Sequence, residues 1–378
     1  MLVCFSLLEA VGGDVCLYVC LLSIFQIFLY FQDAMKKKKG PFASGRVVEA
    51  KSTDRIFVFY SDHGAPGLLG MPSGEFLYAD RLHDAIRHRY KTHGFKEMVL
   101  YIEACESGSM FEGLLEDDIN VYATTAANSQ ESSWGVYCPG MDPSPPPEYM
   151  TCLGDLYSVA WMEDSESNDI TAESLLRQFE KVRKRTSQNF TFIQGSHVMR
   201  YGELEIDEEP VSWYLGEPEV DIEANGQQPA DWQRHQAIHQ RDADLIPLIM
   251  AVERSNDLAS KSIAEEALKR ERYRRKKVDQ DVASAVGKLM DSIGPISSQN
   301  TEVQMLMTQP IPPVSGASTK ALVSDWDCLR GMMDAWQKAC GPLDQYSMKH
   351  SRAFANLCNL GISEKSLYDA ALSICDAS

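Results

Sequence analysis

Two short apolar runs, Ile56-Phe57-Val58-Phe59-Tyr60 and Met98-Val99-Leu100-Tyr101-Ile102, each end at a sharp polar corner. The first corner is Asp62-His63-Gly64, and the second is Glu103-Ala104-Cys105-Glu106-Ser107-Gly108. Short continuous apolar runs fit strands covered on both faces rather than strands with one wet face. Between them Ala79 to Tyr90 reads as a helix, and a third strand, Ile119 to Thr124, follows. Alternating strands and helices predict an α/β fold with a mostly parallel sheet flanked by helices. In such sheets the working groups gather at the carboxyl ends of strands, where His63 and Cys105 both fall.

The remaining chain does not continue this pattern. With 378 residues it exceeds the usual size of one core, which predicts two folded units and a linker. The segment Tyr137 to Tyr149 carries five prolines and reads as a stiff surface loop. Thr171 to Thr186 reads as an amphipathic helix, and Asn189-Phe190-Thr191 is a glycosylation sequon at Asn189. Glu217 to Gln233 is polar, Asp257 to Asp281 is a charge-dense helix, and Gly294 to Thr319 is a proline-bearing linker open to proteolysis. Within it Asn300, and just before it Asp291, are candidate self-cleavage points. Leu322 to Ser378 reads as helical. At the other end, Val15 to Phe31 is uncharged, approaches the length of a membrane span and precedes Lys36 to Lys39.

Charge and cysteines narrow the function. A net charge of -18, from 54 acidic and 36 basic residues, argues against nucleic acid, whose binding rests on Lys and Arg neutralising phosphates. None of the ten cysteines has zinc-site spacing, so neither a metal nor a cofactor is expected. Four of them lie in the helical tail, where they fit two disulfides and a lumenal address, or buried small apolar side chains. A cysteine nucleophile needs a base to form its thiolate, and His63 and Cys105 on neighbouring strands supply such a pair. Alone, the two residues also fit a loop histidine and a core thiol. The glycines at both corners favour the dyad, because they let the amides of Gly64 and Cys105 approach a reacting carbonyl as oxyanion donors.

The stretches FYSDHGAPGLLGMP, YIEACESGSMFEG, NVYATTAANSQESSWGVYCPG and CLGDLYSVAWMEDS resemble the catalytic-domain motifs of the legumains, or vacuolar processing enzymes. DWDCL with the four late cysteines resembles that family's C-terminal pro-domain. The resemblance implies a caspase-like sheet, an all-α C-terminal pro-domain, and cleavage of protein and peptide substrates after Asn, and after Asp at acidic pH. It assigns Cys105 as nucleophile, His63 as proton carrier, Gly64 to the oxyanion, and Glu103, Ser133 and Asp155 to the pocket for the substrate Asn. Read without the family, Glu103 and Asp155 fit cap or salt-bridge carboxylates. The resemblance also pairs Cys138 with Cys152, Cys328 with Cys358, and Cys340 with Cys375. A vacuolar address through the secretory pathway, a pro-domain that leaves on acidification, and a homodimer of the proenzyme are further expectations it carries.

The domains expected are an apolar N-terminus unlike the family at 1–43, a catalytic domain at 44–216, a linker and activation segment at 217–319, and the disulfide-bonded pro-domain at 320–378. The family's first strand, with an Asn that orients the catalytic His and an Arg-His pair in the pocket, has no match among the first 43 residues. That departure leaves an alternative expectation, an impaired legumain-like fragment acting as a binding or inhibitory module. A lipid-anchor transamidase shares the His and Cys motifs, but the proline loop and four-cysteine tail argue against it.

Overall fold

The computed structural model describes residues 4–7, 17–20, 48–71, 74–187, 194–216, 236–293, 299–309 and 321–376. They divide into two compact units, Met1–His63 with Leu68–Ala243, and Gly64–Gly67 with Asp244–Ser378. Asn189 lies outside the described residues.

In the first unit, β1 (Cys4–Leu7) and β2 (Leu17–Cys20) pair antiparallel, and β2 lies beside β3 (Arg55–Ser61). Most of the apolar run expected to approach a membrane span lies outside the described residues. Among the described residues no helix is long and apolar enough to cross a membrane. After the short strands β4 (Gly64–Ala65), β5 (Leu68–Leu69) and β6 (Leu77–Tyr78) comes α1 (Ala79–Lys91), which buries Leu82, Ala85 and Ile86 at helical spacing. The main sheet adds β7 (Glu97–Glu103), β8 (Val121–Thr125) and, further on, β11 (Met199–Gly202), in the order β11-β8-β7-β3. Three of these strands run parallel, while β11 is antiparallel to β8. The mostly parallel, helix-flanked sheet expected from the alternating pattern is therefore present.

One face of the sheet is aromatic. Phe57 and Tyr101 meet edge to face at 5.1 Å, and Trp161 meets Tyr101 at 5.5 Å. Around them pack Tyr157 and Ala160, which with Trp161 come from α2 (Leu156–Ser167), and Leu175, Phe179 and Val182 from α3 (Leu175–Thr186). The second helix starts four residues later than its amphipathic pattern predicts. The Asp169 carboxylate takes the Thr171 amide at 3.0 Å into a local turn, and Ser174 then caps the helix by accepting from the Arg177 amide. A smaller sheet at the rim holds β9 (Trp134–Val136) between β10 (Gly154–Asp155) and β12 (Ile238–His239). The Cys138–Cys152 disulfide closes the proline loop between β9 and β10. A short α4 (Ser212–Leu215) completes the unit's helices.

The second unit is helical: α5 (Ile246–Glu253), α6 (Leu258–Ile293), α7 (Gln299–Thr308), α8 (Trp326–Cys340), α9 (Ser351–Asn359) and α10 (Glu364–Cys375). Disulfides Cys328–Cys358 and Cys340–Cys375 tie α8 to α9 and to α10, the pairing the family resemblance implied. Part of the expected linker is ordered as α7, which fits between Pro295 and Pro310. Its last carbonyls lack intrahelical donors, and the Asn356 side-chain amide donates to the Leu306 carbonyl in the last turn and to the Gln309 carbonyl just past the helix, both at 2.7 Å.

Candidate active site

Strands β3 and β7 are parallel neighbours with Ser61 opposite Glu103, so His63 and Cys105 each stand two residues beyond a matched pair. Adjacent strands lie about 4.8 Å apart, which brings the two corners side by side at the carboxyl edge of the sheet. Each corner is fastened. The Asp62 amide donates to the Glu103 carbonyl at 3.2 Å, extending the ladder, while the Asp62 carboxylate accepts from the His63 amide at 2.7 Å. The His63 carbonyl accepts from the Gly70 amide at 2.8 Å and from the Tyr60 hydroxyl at 3.1 Å. Gly70 has to be small here, because a Cβ at that position would stand 3.0 Å from the His63 carbonyl oxygen.

On the other strand, Glu106 turns the chain with a left-handed backbone, φ 46°. A non-glycine residue in that region is strained, and the turn persists because its neighbours hold it. The Glu106 amide donates to the Glu131 carbonyl at 2.7 Å, and the Gly108 amide to the Ala127 carbonyl at 3.0 Å. Cys105 is fully buried, and among the described residues it is the free cysteine. Burial pushes its thiol pKa up, with Glu106 adding to the rise, while Arg241 and hydrogen bonding with Ser132 and Ser133, which favours the thiolate, pull it down. At rest the sulfur is therefore a neutral thiol.

Beside the thiol, Ser132 Oγ lies 3.0 Å from Cys105 Sγ, and Ser133 Oγ and Gln240 Oε1 lie 3.6 Å from it. Gln240 follows β12, which pairs with β9 through Ile238 opposite Gly135 and His239 opposite Trp134. The Gln240 amide extends that pairing by donating to the Ser133 carbonyl at 3.1 Å. Next to it the Arg241 guanidinium grips the Glu106 carboxylate with both ends, at 2.6 and 3.3 Å. The two-residue strand Ile238–His239 and the turn of 3-10 helix that follows it thus bring Gln240 to the thiol and Arg241 to Glu106.

Of the pocket residues expected, Glu103 and Asp155 are brought together. Glu103 is buried and accepts from the Ser158 amide at 2.8 Å and the Ser158 hydroxyl at 2.9 Å. Burial, reinforced by Asp155, drives its carboxyl well above the usual range. Burial likewise pushes Asp155 up to about 7, opposed by the Ser61 hydroxyl, which donates to it at 3.4 Å. Two carboxyls that both resist ionisation hold protons at acidic pH, so the pair presents donors as well as acceptors. Ser133 sits on the thiol side of the site. Ser132, Gln240, Arg241 and Ser158 were not read from the sequence, since each reaches the site through the fold. Among the described residues no group of three or more His, Cys, Asp or Glu is arranged to hold a metal ion.

Residues 30–217 match the Peptidase C13 family, and residues 266–375 match the legumain prodomain. The legumain of Canavalia ensiformis is 43% identical over 348 residues, covering 91% of this chain and 69% of that protein. The chain belongs to the peptidase C13 family. Vacuolar-processing enzymes of Glycine max and Phaseolus vulgaris are each 44% identical to this C13 chain, over 350 and 348 residues. It spans 66% of the length of each of these two relatives, and they cover 91% of it. The C13 match begins at residue 30, fourteen residues ahead of the boundary drawn from the motifs. Within this family membership, a free cysteine and a histidine at adjacent strand ends have a peptidase context that neither residue carries by itself.

Proposed function

We propose that the protein is a cysteine endopeptidase cleaving after Asn, and after Asp at acidic pH, with a vacuolar address reached through the secretory pathway. The observation that carries this reading is the register of β3 and β7, which sets His63 and the free thiol of Cys105 at matching positions past adjacent strand ends. In the reaction His63 takes the Cys105 proton, and the thiolate attacks the substrate carbonyl carbon. The Gly64 amide stabilises the oxyanion, His63 returns the proton to the departing amine, and water then cleaves the thioester. Capture of the thioester by an amine instead of water gives peptide ligation by the same steps.

The preference for Asn follows from the carboxyl pair. A primary amide both donates and accepts, and Glu103 Oε1, buried and with no hydrogen-bond partner among the described residues, serves as an acceptor for an amide hydrogen. Protonated Asp155 supplies the donor. At acidic pH the same protons let the pocket accept a substrate Asp. We further assign residues 44–216 to catalysis, 217–319 to an activation segment and 320–378 to an inhibitory pro-domain. Asn189 is assigned as a glycosylation site, and the proenzyme as a homodimer.

The test is cleavage of a fluorogenic Ala-Ala-Asn peptide by the full chain after acidification, beside the Cys105→Ala variant. Turnover lost in the variant supports the reading. Equal turnover in both proteins, or none from folded wild type, overturns it.

A further inference from the structure

We propose that Ser132 is a catalytic residue, whose hydroxyl donates a hydrogen bond to the Cys105 thiolate each time that thiolate forms. The proposal rests on the reading of Cys105 as the nucleophile and adds a residue to its machinery. Of the side chains hydrogen-bonded to the sulfur among the described residues, Ser132 Oγ is nearest, 3.0 Å against 3.6 Å for both Ser133 Oγ and Gln240 Oε1.

Its placement is built into the backbone. The residue after the nucleophile and the residue before the serine are joined, Glu106 amide to Glu131 carbonyl at 2.7 Å, so the thiol and the hydroxyl cannot drift apart independently. At rest the hydroxyl is engaged elsewhere, donating to the Ser133 carbonyl at 2.8 Å, with His239 Nδ1 at 3.2 Å. One hydroxyl has one hydrogen. While it points at the Ser133 carbonyl, the Ser132 oxygen is free to accept the Cys105 S–H, which suits a neutral thiol.

When His63 removes the sulfur proton, that hydrogen bond disappears and the sulfur becomes an acceptor. Rotation about one bond then turns the Ser132 hydrogen onto the thiolate, in a buried site where a hydrogen bond to a charged atom is strong. No proton leaves the serine. The carbon–sulfur bond forms first, giving the tetrahedral oxyanion; its collapse breaks the carbon–nitrogen bond as His63 passes the proton taken from sulfur to the leaving amine, and hydrolysis of the thioester restores the thiolate. The same hydroxyl stabilises it there as the leaving group.

The experiment titrates the full chain, following the ultraviolet absorbance of the thiolate and subtracting the Cys105→Ala protein. Ser132→Ala is expected to raise the Cys105 midpoint, and Ser132→Thr, which keeps the hydroxyl, to restore it. On the Ala-Ala-Asn peptide, Ser132→Ala is expected to lower kcat roughly tenfold to a hundredfold with KM little changed, as loss of a hydrogen bond to a charged atom implies. A midpoint unchanged or lowered in Ser132→Ala overturns the proposal. The titration needs no turnover, so it judges Ser132 even if wild type leaves the peptide uncut, an outcome that overturns the peptidase reading instead. His63→Ala separates the two further, because a Cys105 midpoint indifferent to His63 removes the dyad whatever Ser132 does.

Discussion

At the scale of single residues, burial decides which groups titrate where. His83 on α1 is fully buried, and its Nε2 donates to the Met110 carbonyl at 2.7 Å, bracing the turn that follows Cys105. Burial lowers its pKa to about 4, so the folded protein holds it neutral. The unfolded chain, with an ordinary value near 6.5, takes up that proton much earlier. Stability is therefore lost as pH falls from about 6.5 toward 4 and changes no further below, when both states carry the proton. By about pH 5 the loss is on the order of 2 kcal/mol. Replacing His83 with Gln keeps an N–H donor and removes the titration. Thermal melts at neutral pH and near pH 5 are expected to show a smaller acid-induced drop in His83→Gln than in wild type; equal drops would place the acid sensitivity elsewhere. Burial acts with the opposite sign on Asp155, which it favours in the protonated form as pH falls through about 7.

At the scale of elements, the weakest piece of the site is β12. It contributes two residues to the ladder, Ile238 and His239, and is anchored beyond them by the Gln240 amide and the Arg241–Glu106 ion pair. That pair is largely buried, so deleting Arg241 leaves a carboxylate unpaired next to the thiol, a costly arrangement that opening of the strand relieves. Hydrogen exchange of residues 236–243 in Arg241→Ala is expected to accelerate roughly tenfold or more, with β7 unaffected. Unchanged exchange would mean that backbone pairing alone retains the strand. The same element shows where sequence reading ends. Strands β3 and β7 were legible because every residue of their apolar runs needs cover on both sheet faces, and the glycine corners marked His63 and Cys105. Nothing periodic marks Ile238-His239 as a strand, because its pairing depends on β9, a hundred residues earlier. For the same reason Ser132 and Gln240 were invisible as neighbours of a cysteine 27 and 135 positions away. Helix α7 was read as linker because prolines flank it, and its end is satisfied by Asn356, which no local pattern announces.

At the scale of the whole molecule, the two units are held in different ways. The first has a broad sheet with an aromatic core, and its one disulfide among the described residues, Cys138–Cys152, closes a loop of sequence separation 14. That loop is already stiff with prolines, so the cross-link removes little freedom from the unfolded chain. In the second unit, disulfides with separations of 30 and 35 close longer and more flexible loops. Loop-closure entropy assigns each of these about 3 to 4 kcal/mol, against less than about 3 for the proline loop. A reductant is therefore expected to act unequally on the two cores. Calorimetry with and without it should lower the transition of the helical unit at least twice as far as that of the sheet unit. Replacing Cys340 and Cys375 together with Ser identifies the helical transition, because those substitutions leave the sheet unit untouched. Equal shifts would show that the helices are held by packing of residues such as Trp336 and Phe354 rather than by their cross-links. A larger shift in the sheet unit would make the proline loop, with its disulfide intact, the principal support of the active-site rim.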